Sequence, residues 1–296
     1  MIEVICDAGA RYVKVAASRD GRRAAVLVAP AQEAVDLEAV AKRVGDTLRP
    51  GVFEATRLWS LGDSAGNAPR LAEWMVRLGP VSRLAPMRQL SLGAALMHMA
   101  PGNDGELLLA DCGAIRTRVF ALTPMPGAPP ERPPRLHIFE NERCTAGSGR
   151  LVETMAAALG LGLDEIDASV AAAQAPSRLV TTCPVFVESE VVSLINAGQR
   201  REDVMAGVVA YAVDKVAALV QRAAPRGKPL LLFGGLARLG AFRAALAAKL
   251  PGHSLLAAPV DPMLLPCLAG LCQVTAAPPG TWPAVDIVPW ERRRGD

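Results

Sequence analysis

The sequence predicts a layered α/β fold made of two related domains. A strand, an Asp-x-Gly-Ala turn and a second strand occur at residues 2–17 and again at 106–122. A repeat at a distance of about a hundred residues indicates duplicated domains rather than a solenoid. The second half of the chain alternates apolar strands with amphipathic helices, which favours α/β layering. We therefore divide the chain into domains at 1–103 and 104–296, and the last helix is a candidate for return to the first domain.

The composition and charge are those of an ordinary globular protein. Hydrophobic residues make up 51% of the 296 residues and charged residues 21%, both typical of folded domains. The net charge of +3 gives no electrostatic reason to expect binding to nucleic acid. The start of the chain lacks the basic and apolar regions of a signal peptide, and no apolar run is long enough to span a membrane. We therefore expect a cytoplasmic protein with neither nucleic acid nor membrane as a partner.

The first domain is expected to contain a hairpin followed by two helices. Apolar runs rich in β-branched residues at 2–6 and 12–17 flank a glycine-bearing turn, which is the pattern of a β-hairpin. Segments 33–48 and 68–78 carry apolar residues close to helical spacing and predict amphipathic helices.

The second domain is expected to repeat the hairpin and then to become mainly helical. Its hairpin strands, 106–110 and 117–122, are followed by a proline-rich loop at 124–134. Apolar periodicity and glycine stops then define a series of helices. The remaining elements are strands at 135–139 and 229–233 and helices at 148–159, 188–196, 201–224 and 240–250.

The two hairpin turns are candidate phosphate sites. Glycine in such a turn lets the backbone approach a ligand closely, and an aspartate beside it can hold a hydrated Mg²⁺ that bridges phosphates. A lone Asp-x-Gly is usually only a turn, but two copies expected to face each other across a cleft favour nucleotide binding. The candidates are Asp7 and Asp111 as catalytic residues, with Gly9, Lys14 and Gly113 as cofactor-binding residues.

Other glycines extend this candidate site. Gly234 and Gly235 follow a buried strand, where a diglycine would let a base and ribose lie against the backbone. Gly147 and Gly149 lie at the start of the helix predicted at 148–159 and are also assigned to cofactor binding.

Two of the six cysteines are candidate metal ligands. Cys144 and Cys183 each come just before a predicted helix, where the helix dipole stabilises a thiolate or an anionic iron–sulfur cluster. Two thiolates per chain cannot complete a site of four, but a symmetric dimer can. Two separate buried thiols remain an alternative. A zinc site is less favoured because neither cysteine belongs to a Cys-x-x-Cys pair.

The remaining cysteines and a nearby acidic pair have simpler interpretations. Cys6, Cys112, Cys267 and Cys272 are expected to be buried small hydrophobes, without a disulfide framework. Glu188 and Glu190 could support the nucleotide or the cluster, but at least one of them is expected to cap the helix that they open.

Three motifs resemble one known family. They are Asn-x-x-Cys-x-Ala-Gly-x-Gly-Arg at 141–150, the block from Cys183 to Asp203, and Phe-Gly-Gly-Leu-Ala-Arg at 233–238. Together they resemble the activators of 2-hydroxyacyl-CoA dehydratases and the ATPase subunits of benzoyl-CoA reductase, the BadF/BadG/BcrA/BcrD-type ATPase family. The smaller, diverged D-type subunit is the most similar kind. The resemblance is specific over about residues 141–240 and weaker, though collinear, before that.

The resemblance implies a fold, cofactors and partners. The fold would be that of actin, Hsp70 and sugar kinases (ribonuclease H-like), with ATP or ADP and Mg²⁺ in a cleft between two related domains. A [4Fe-4S] cluster shared by two subunits would take Cys144 and Cys183 as the ligands from this chain. The partners would be a homologous ATPase subunit or a second copy, acyl-CoA reductase or dehydratase subunits, and ferredoxin as the electron donor.

The phosphate motifs depart from the family pattern. In the first phosphate motif the family has Asp-x-Gly-Ser-Thr-x-Thr-Lys, but residues 7–14 of this chain have no serine or threonine between Gly9 and Lys14. In the second motif the family has Gly-Gly-Gln-Asp, but residues 113–116 read Gly-Ala-Ile-Arg. We therefore expect nucleotide binding without hydrolysis by this chain alone. A sugar or carboxylate kinase, or a catalytically degenerate regulator on the same fold, remains an alternative.

Overall fold

The structure is a computed structural model. The expected helices at 33–48 and 68–78, and most of the proline-rich loop, lie outside the residues that it describes. The described residues are 2–9, 11–19, 23–30, 56–61, 81–87, 107–123, 127, 135–140, 149–181, 183–224, 227–275 and 284–288.

The chain divides into two compact units. The first comprises Met1–Asn103, Pro129–Pro134 and Leu264–Asp296, and the second comprises Asp104–Ala128 and Arg135–Met263. Each unit contains one described β-sheet.

The first unit is built on a six-stranded sheet. Its strands are β1 (Ile2–Ala8), β2 (Tyr12–Arg19), β3 (Arg23–Pro30), β4 (Thr56–Leu61), β5 (Val81–Met87) and β11 (Ala284–Val288). They lie in the order β11-β3-β2-β1-β4-β5. Strands β1, β2 and β3 are antiparallel neighbours, β4 and β5 continue parallel to β1, and β11 is parallel to β3. The last described helix, α6 (Leu265–Val274), packs against β1, β2 and β4.

The second unit is built on a five-stranded sheet. Its strands are β6 (Leu107–Cys112), β7 (Thr117–Thr123), β8 (Arg135–Glu140), β9 (Leu230–Phe233) and β10 (Leu255–Leu256). They lie in the order β10-β9-β6-β7-β8. Strands β6, β7 and β8 form an antiparallel meander, and β9 and β10 extend the sheet in parallel on the other side of β6.

One long helix organises the core of the second unit. The described helices of this unit are α1 (Gly149–Ala158), α2 (Ile166–Ala171), α3 (Val187–Asn196), α4 (Arg201–Ala223) and α5 (Gly240–Lys249). Helix α4 packs against β6, β7 and β8 and against the other four of these helices. Because neighbours cover it on several sides, 14 of its 23 residues are buried. This is a larger share than in a surface helix, which buries only one apolar stripe.

The glycine stops predicted from the sequence are confirmed. Helix α1 is followed by Gly160 with φ of +69°, and α3 by Gly198 with φ of +82°. Glycine adopts this left-handed backbone without the steric cost of a Cβ atom, so it ends helices. Among the described residues, no helix combines the length and the apolar character needed to cross a bilayer.

Candidate functional site

The first hairpin brings together all three residues predicted there. The turn is closed by the N–H of Gly9, which donates to the carbonyl of Tyr12 at 3.0 Å. A Cβ atom on Gly9 would lie 2.9 Å from that carbonyl oxygen, so the tight turn requires glycine. Asp7 and Lys14 are directly opposite in the β1–β2 register, and the Lys14 ammonium forms an ion pair with the Asp7 carboxylate. The hairpin therefore presents a paired acid and base beside a glycine turn.

The second hairpin repeats this geometry in the second unit. The N–H of Gly113 donates to the carbonyl of Arg116 at 3.2 Å, and Asp111 stands opposite Arg118 in the β6–β7 register. A Cβ atom on Gly113 would lie 3.1 Å from the Arg116 carbonyl oxygen. The two Asp-x-Gly motifs thus share the same turn and the same cross-strand relation.

Helix α1 begins directly on this second turn. The N–H groups of Gly149 and Arg150 donate to the carbonyls of Gly113 and Ala114 at 2.9 and 2.8 Å. A Cβ atom on Gly149 would lie 3.3 Å from the Gly113 carbonyl oxygen, so glycine permits the close approach of helix and turn. The residues before Gly149, including Cys144 and Gly147, lie outside the described part of the chain, and their assignments remain predictions.

The diglycine, Gly234 and Gly235, follows β9 at the same edge of the sheet. Gly234 has φ of +93°, and a Cβ atom there would lie 2.7 Å from the carbonyl carbon of Cys112. Strand β9 is parallel to β6, with Phe233 opposite Asp111, so both strands end here. Apart from Gly235 and its two chain neighbours, no described residue has an atom within 4 Å of the Cβ position of Gly235. Ligands of open α/β sheets bind at the carboxyl ends of strands, and this edge leaves such a space.

Four predicted residues of the second unit therefore converge. Asp111, Gly113, Gly149 and Gly234 meet at the carboxyl ends of β6 and β9 through the backbone contacts given above. Asp7, Gly9 and Lys14 form the corresponding cluster in the first unit.

Cys183 lies in the segment that leads into α3. Its carbonyl accepts a hydrogen bond from the N–H of Phe186 at 3.1 Å, within the single 3₁₀ turn Pro184–Phe186. The Glu190 carboxylate accepts from the N–H groups of Val180 and Thr181 at 2.7 and 3.1 Å. Glu190 therefore ties the preceding segment to α3. Glu188 and Glu190 both lie in the first turn of α3, as the sequence predicted.

The side chains around Cys183 are apolar and exposed. The exposed fractions are 72% for Val180, 74% for Val185 and 61% for Phe186, while Cys183 is half-buried. Clusters of exposed apolar side chains mark interaction surfaces more often than isolated ones do.

Three other cysteines match their predicted role as buried apolar residues. Cys112, Cys267 and Cys272 are buried in the interior of their units. Burial, with a smaller effect from the Asp111 charge, raises the pKa of Cys112 well above its usual range. Burial also raises the pKa of Cys272 to about 11, so both thiols stay protonated near neutral pH. The backbone of Cys6 lies in β1, but its side chain is outside the described set.

The residues described include only one of the two predicted cluster ligands. No group of three or more His, Cys, Asp or Glu side chains with metal-binding geometry occurs among them. A site shared between two chains would not form such a group within one chain.

Sequence reasoning missed Arg118. This residue is buried to 8% exposure, and its Nε lies 3.3 Å from the Glu140 carboxylate. The signal that could have found it is the repeat itself, since Arg118 follows Asp111 at the same interval at which Lys14 follows Asp7.

Comparisons with known sequences give a consistent result. The sequence profile described as the BadF/BadG/BcrA/BcrD ATPase family matches residues 136–262. The 2-hydroxyisocaproyl-CoA dehydratase activator of Clostridioides difficile is 30% identical over 115 residues, 39% of this chain and 43% of that protein. The D subunit of benzoyl-CoA reductase from Thauera aromatica is 28% identical over 95 residues, 32% of this chain and 34% of that one. The matched stretches therefore span less than half of each relative.

A comparison of structures extends the likeness to the fold. The activator of the 2-hydroxyisocaproyl-CoA dehydratase from Clostridium difficile, solved with bound ADPNP, aligns with a TM-score of 0.70 at 20% identity. The alignment covers 93% of this chain and 95% of that chain. The predicted actin/Hsp70/sugar-kinase class of α/β fold is thereby confirmed. The sequence likeness to the BadF/BadG/BcrA/BcrD ATPase family lies in residues 136–262, the segment that carries the three motifs described above.

Proposed function

We propose that this chain is an ATP-linked electron-activating subunit. In this role it passes low-potential electrons through a [4Fe-4S] cluster, shared by two subunits, to an acyl-CoA reductase of the benzoyl-CoA type or to a 2-hydroxyacyl-CoA dehydratase. The observation that carries the proposal is the position of Cys183, at the entrance to α3 and among exposed apolar side chains. The similarity to a dehydratase activator and to one subunit of a benzoyl-CoA reductase supports it.

The surroundings of Cys183 fit an iron–sulfur ligand. The thiol is reachable, unlike the three buried cysteines, and the exposed Val185 and Phe186 could pack against a second subunit and keep water from the ligand. Glu190 fixes the segment just before the thiol through two backbone hydrogen bonds. Cys144 is the second ligand of this chain in the proposal. When bound, the cluster would supply a one-electron carrier whose potential depends on its protein environment.

The nucleotide would be held by the two hairpins and the glycines beside them. Asp7 and Asp111 would orient the water shell of Mg²⁺, and Gly9 and Gly113 would allow phosphates close to the backbone. Gly235 offers open space beside the end of β9, where the base and ribose of ATP or ADP could lie. The related activator solved with ADPNP supports a nucleotide in this fold.

Hydrolysis would depend on a partner. Residues 114–116, Ala-Ile-Arg, supply neither the amide nor the carboxylate that the family places near the attacking water. The chain would therefore pair with a homologous ATPase subunit or a second copy, receive electrons from ferredoxin and act on an acyl-CoA reductase or dehydratase.

The test is iron content and the EPR spectrum after purification without oxygen, together with the partner subunits. We expect a coloured protein with iron and sulfide, and we expect Cys183→Ser and Cys144→Ser each to lose most of the cluster. Cys272→Ala is the matched control and should keep it, because that thiol is buried in α6. A colourless, iron-free protein would refute the electron-transfer role and favour a kinase or a regulator; wild-type iron in both serine variants would refute the assigned ligands.

A further inference from the structure

Three charged residues stand side by side across three strands of the second unit. In the register of the sheet, Asp111 on β6 is opposite Arg118 on β7, and Arg118 is opposite Glu140 on β8. Directly opposed residues of antiparallel strands project from the same face of a sheet and lie close enough to interact. The three residues therefore form a carboxylate–guanidinium–carboxylate row that begins at the proposed Mg²⁺-site aspartate.

The middle of this row is buried and fixed. The side chain of Arg118 is only 10% exposed, and its Nε lies 3.3 Å from Oε1 of Glu140, which is itself 34% exposed. A buried charge requires a charged or hydrogen-bonding partner. The guanidinium has five donors in a rigid plane and can serve two carboxylates at once. Glu140 thus anchors Arg118 from the side remote from Asp111.

The first unit also has a basic residue opposite the aspartate of its Asp-x-Gly motif. Asp7 and Lys14 occupy the register positions of Asp111 and Arg118, and there the base pairs directly with the aspartate. Both turns are closed by the same kind of hydrogen bond, from the glycine N–H to the carbonyl three residues on. A cation opposite the aspartate is therefore a feature of both duplicated hairpins.

From this duplication we infer that Arg118 is a positioning residue of the nucleotide site, which orients the Asp111 carboxylate toward a Mg²⁺–nucleotide. Glu140 on β8 holds the Arg118 guanidinium in place, and the guanidinium in turn orients the Asp111 carboxylate. The inference rests on the proposed binding of nucleotide. It adds a residue outside the Asp-x-Gly motif and gives it a role that acts only through Asp111.

The test is the affinity for a fluorescent ADP analogue, measured with and without Mg²⁺. Removing a residue that orients a metal ligand typically lowers affinity by about 10–100-fold. We expect Arg118→Met to lower the Mg²⁺-dependent affinity by about tenfold or more, with a much smaller effect when Mg²⁺ is absent. Arg118→Lys should restore most of the affinity, because lysine serves at the equivalent position in the first hairpin.

A double-mutant cycle separates positioning from a structural effect. Asp111→Asn should also weaken Mg²⁺-dependent binding, and adding Arg118→Met to it should cause little further loss, because coupled residues are not additive. Arg135→Met, at the far end of the β7–β8 ladder, removes the same charge from an exposed position and should bind normally. Thermal unfolding of each variant checks that it is folded.

The outcomes distinguish the two proposals. If the wild-type chain binds no nucleotide, the proposed nucleotide site is wrong and this inference is overturned with it. If the wild-type chain binds and a folded Arg118→Met variant binds equally well with Mg²⁺, only the role of Arg118 is overturned. That role is likewise overturned if Arg118→Lys is as weak as Arg118→Met, or if the losses from Arg118→Met and Asp111→Asn add in full.

Discussion

At the scale of single residues, Gly234 is the position where the site depends most directly on the absence of a side chain. Its φ of +93° is a conformation that L residues rarely adopt, and a Cβ atom would lie 2.7 Å from the backbone of Cys112. Strand β9 could then no longer end tightly against β6. The glycine is therefore required for the packing of the unit.

We predict that Gly234→Ala destabilises the protein. The left-handed conformation alone costs a residue with a Cβ atom about 1–2 kcal/mol, and the contact with Cys112 adds to that loss. Gly235→Ala is the matched control for stability, because Gly235 has φ of −61° and open space at its Cβ position. Denaturant unfolding should show a clear decrease in the free energy of unfolding for Gly234→Ala and little change for Gly235→Ala. Equal stability of both variants would contradict this account of Gly234.

At the scale of secondary-structure elements, the first turn of α4 is joined to the segment that follows α2. The Asp203 carboxylate accepts hydrogen bonds from the N–H groups of Gln174 and Ala175 at 2.7 and 2.9 Å. The N–H of Ser177 donates to the Asp203 carbonyl at 2.9 Å. The hydrogen bond from Ala175 lowers the pKa of Asp203 most; that from Gln174 and the charge of Arg200 add to the effect, and burial opposes it.

We predict a pH dependence of stability from this contact. Because the folded pKa of Asp203 is below its unfolded value of about 3.9, its contribution is complete above that value and is lost as the pH falls through the folded pKa. Asp203→Asn should lower the melting temperature at pH 7, and the difference from wild type should shrink below about pH 4. Asp214→Asn, which removes an exposed ion pair to Lys249, should change little. If the melting temperatures of wild type and Asp203→Asn differed by the same amount at all pH values, the Asp203 carboxylate would not be the source of the pH dependence.

The elements predicted well are those with a local signal. Four helices of the second unit, α1, α3, α4 and α5, carry apolar periodicity, and their predicted bounds are confirmed to within about two residues. Of these, α1 and α3 are followed by glycines with positive φ. The short helix α2 was missed. Strands β4 and β5 were missed because long stretches of sequence separate them from the strands with which they pair, β1 and β4. Strand β3 was missed although it pairs with its neighbour β2 and although Asp-Gly at 20–21, between the two strands, is a hairpin signal. Helix α6 was missed because nearly all its described side chains are apolar and buried, which removes helical periodicity.

The same distinction applies to the candidate site. The turn glycines Gly9 and Gly113 could be predicted because their neighbours in sequence are also their neighbours in space. The contact of Gly149 with Gly113, and the row from Asp111 through Arg118 to Glu140, depend on strand register and helix placement, which are set by packing of the whole unit.

At the scale of the whole molecule, the proposed iron–sulfur site requires ligands from a second subunit. This chain offers one described thiol on an exposed apolar surface, and with Cys144 it would supply two of the four ligands that a [4Fe-4S] cluster takes. In the proposed assembly, the exposed Val180, Val185 and Phe186 would pack against the second subunit, and the cluster would be part of the contact between subunits. The fraction of protein assembled into dimers should therefore increase with the fraction that carries a cluster, and decrease when the cluster is lost.

Native mass spectrometry of the protein purified without oxygen can detect a cluster that bridges two subunits. We expect a complex of two homologous subunits that carries the mass of one [4Fe-4S] cluster. We also expect that removing the iron with a chelator releases single chains. A cluster held entirely by one chain, or a pair of subunits whose mass and stability do not change when iron is removed, would contradict this expectation.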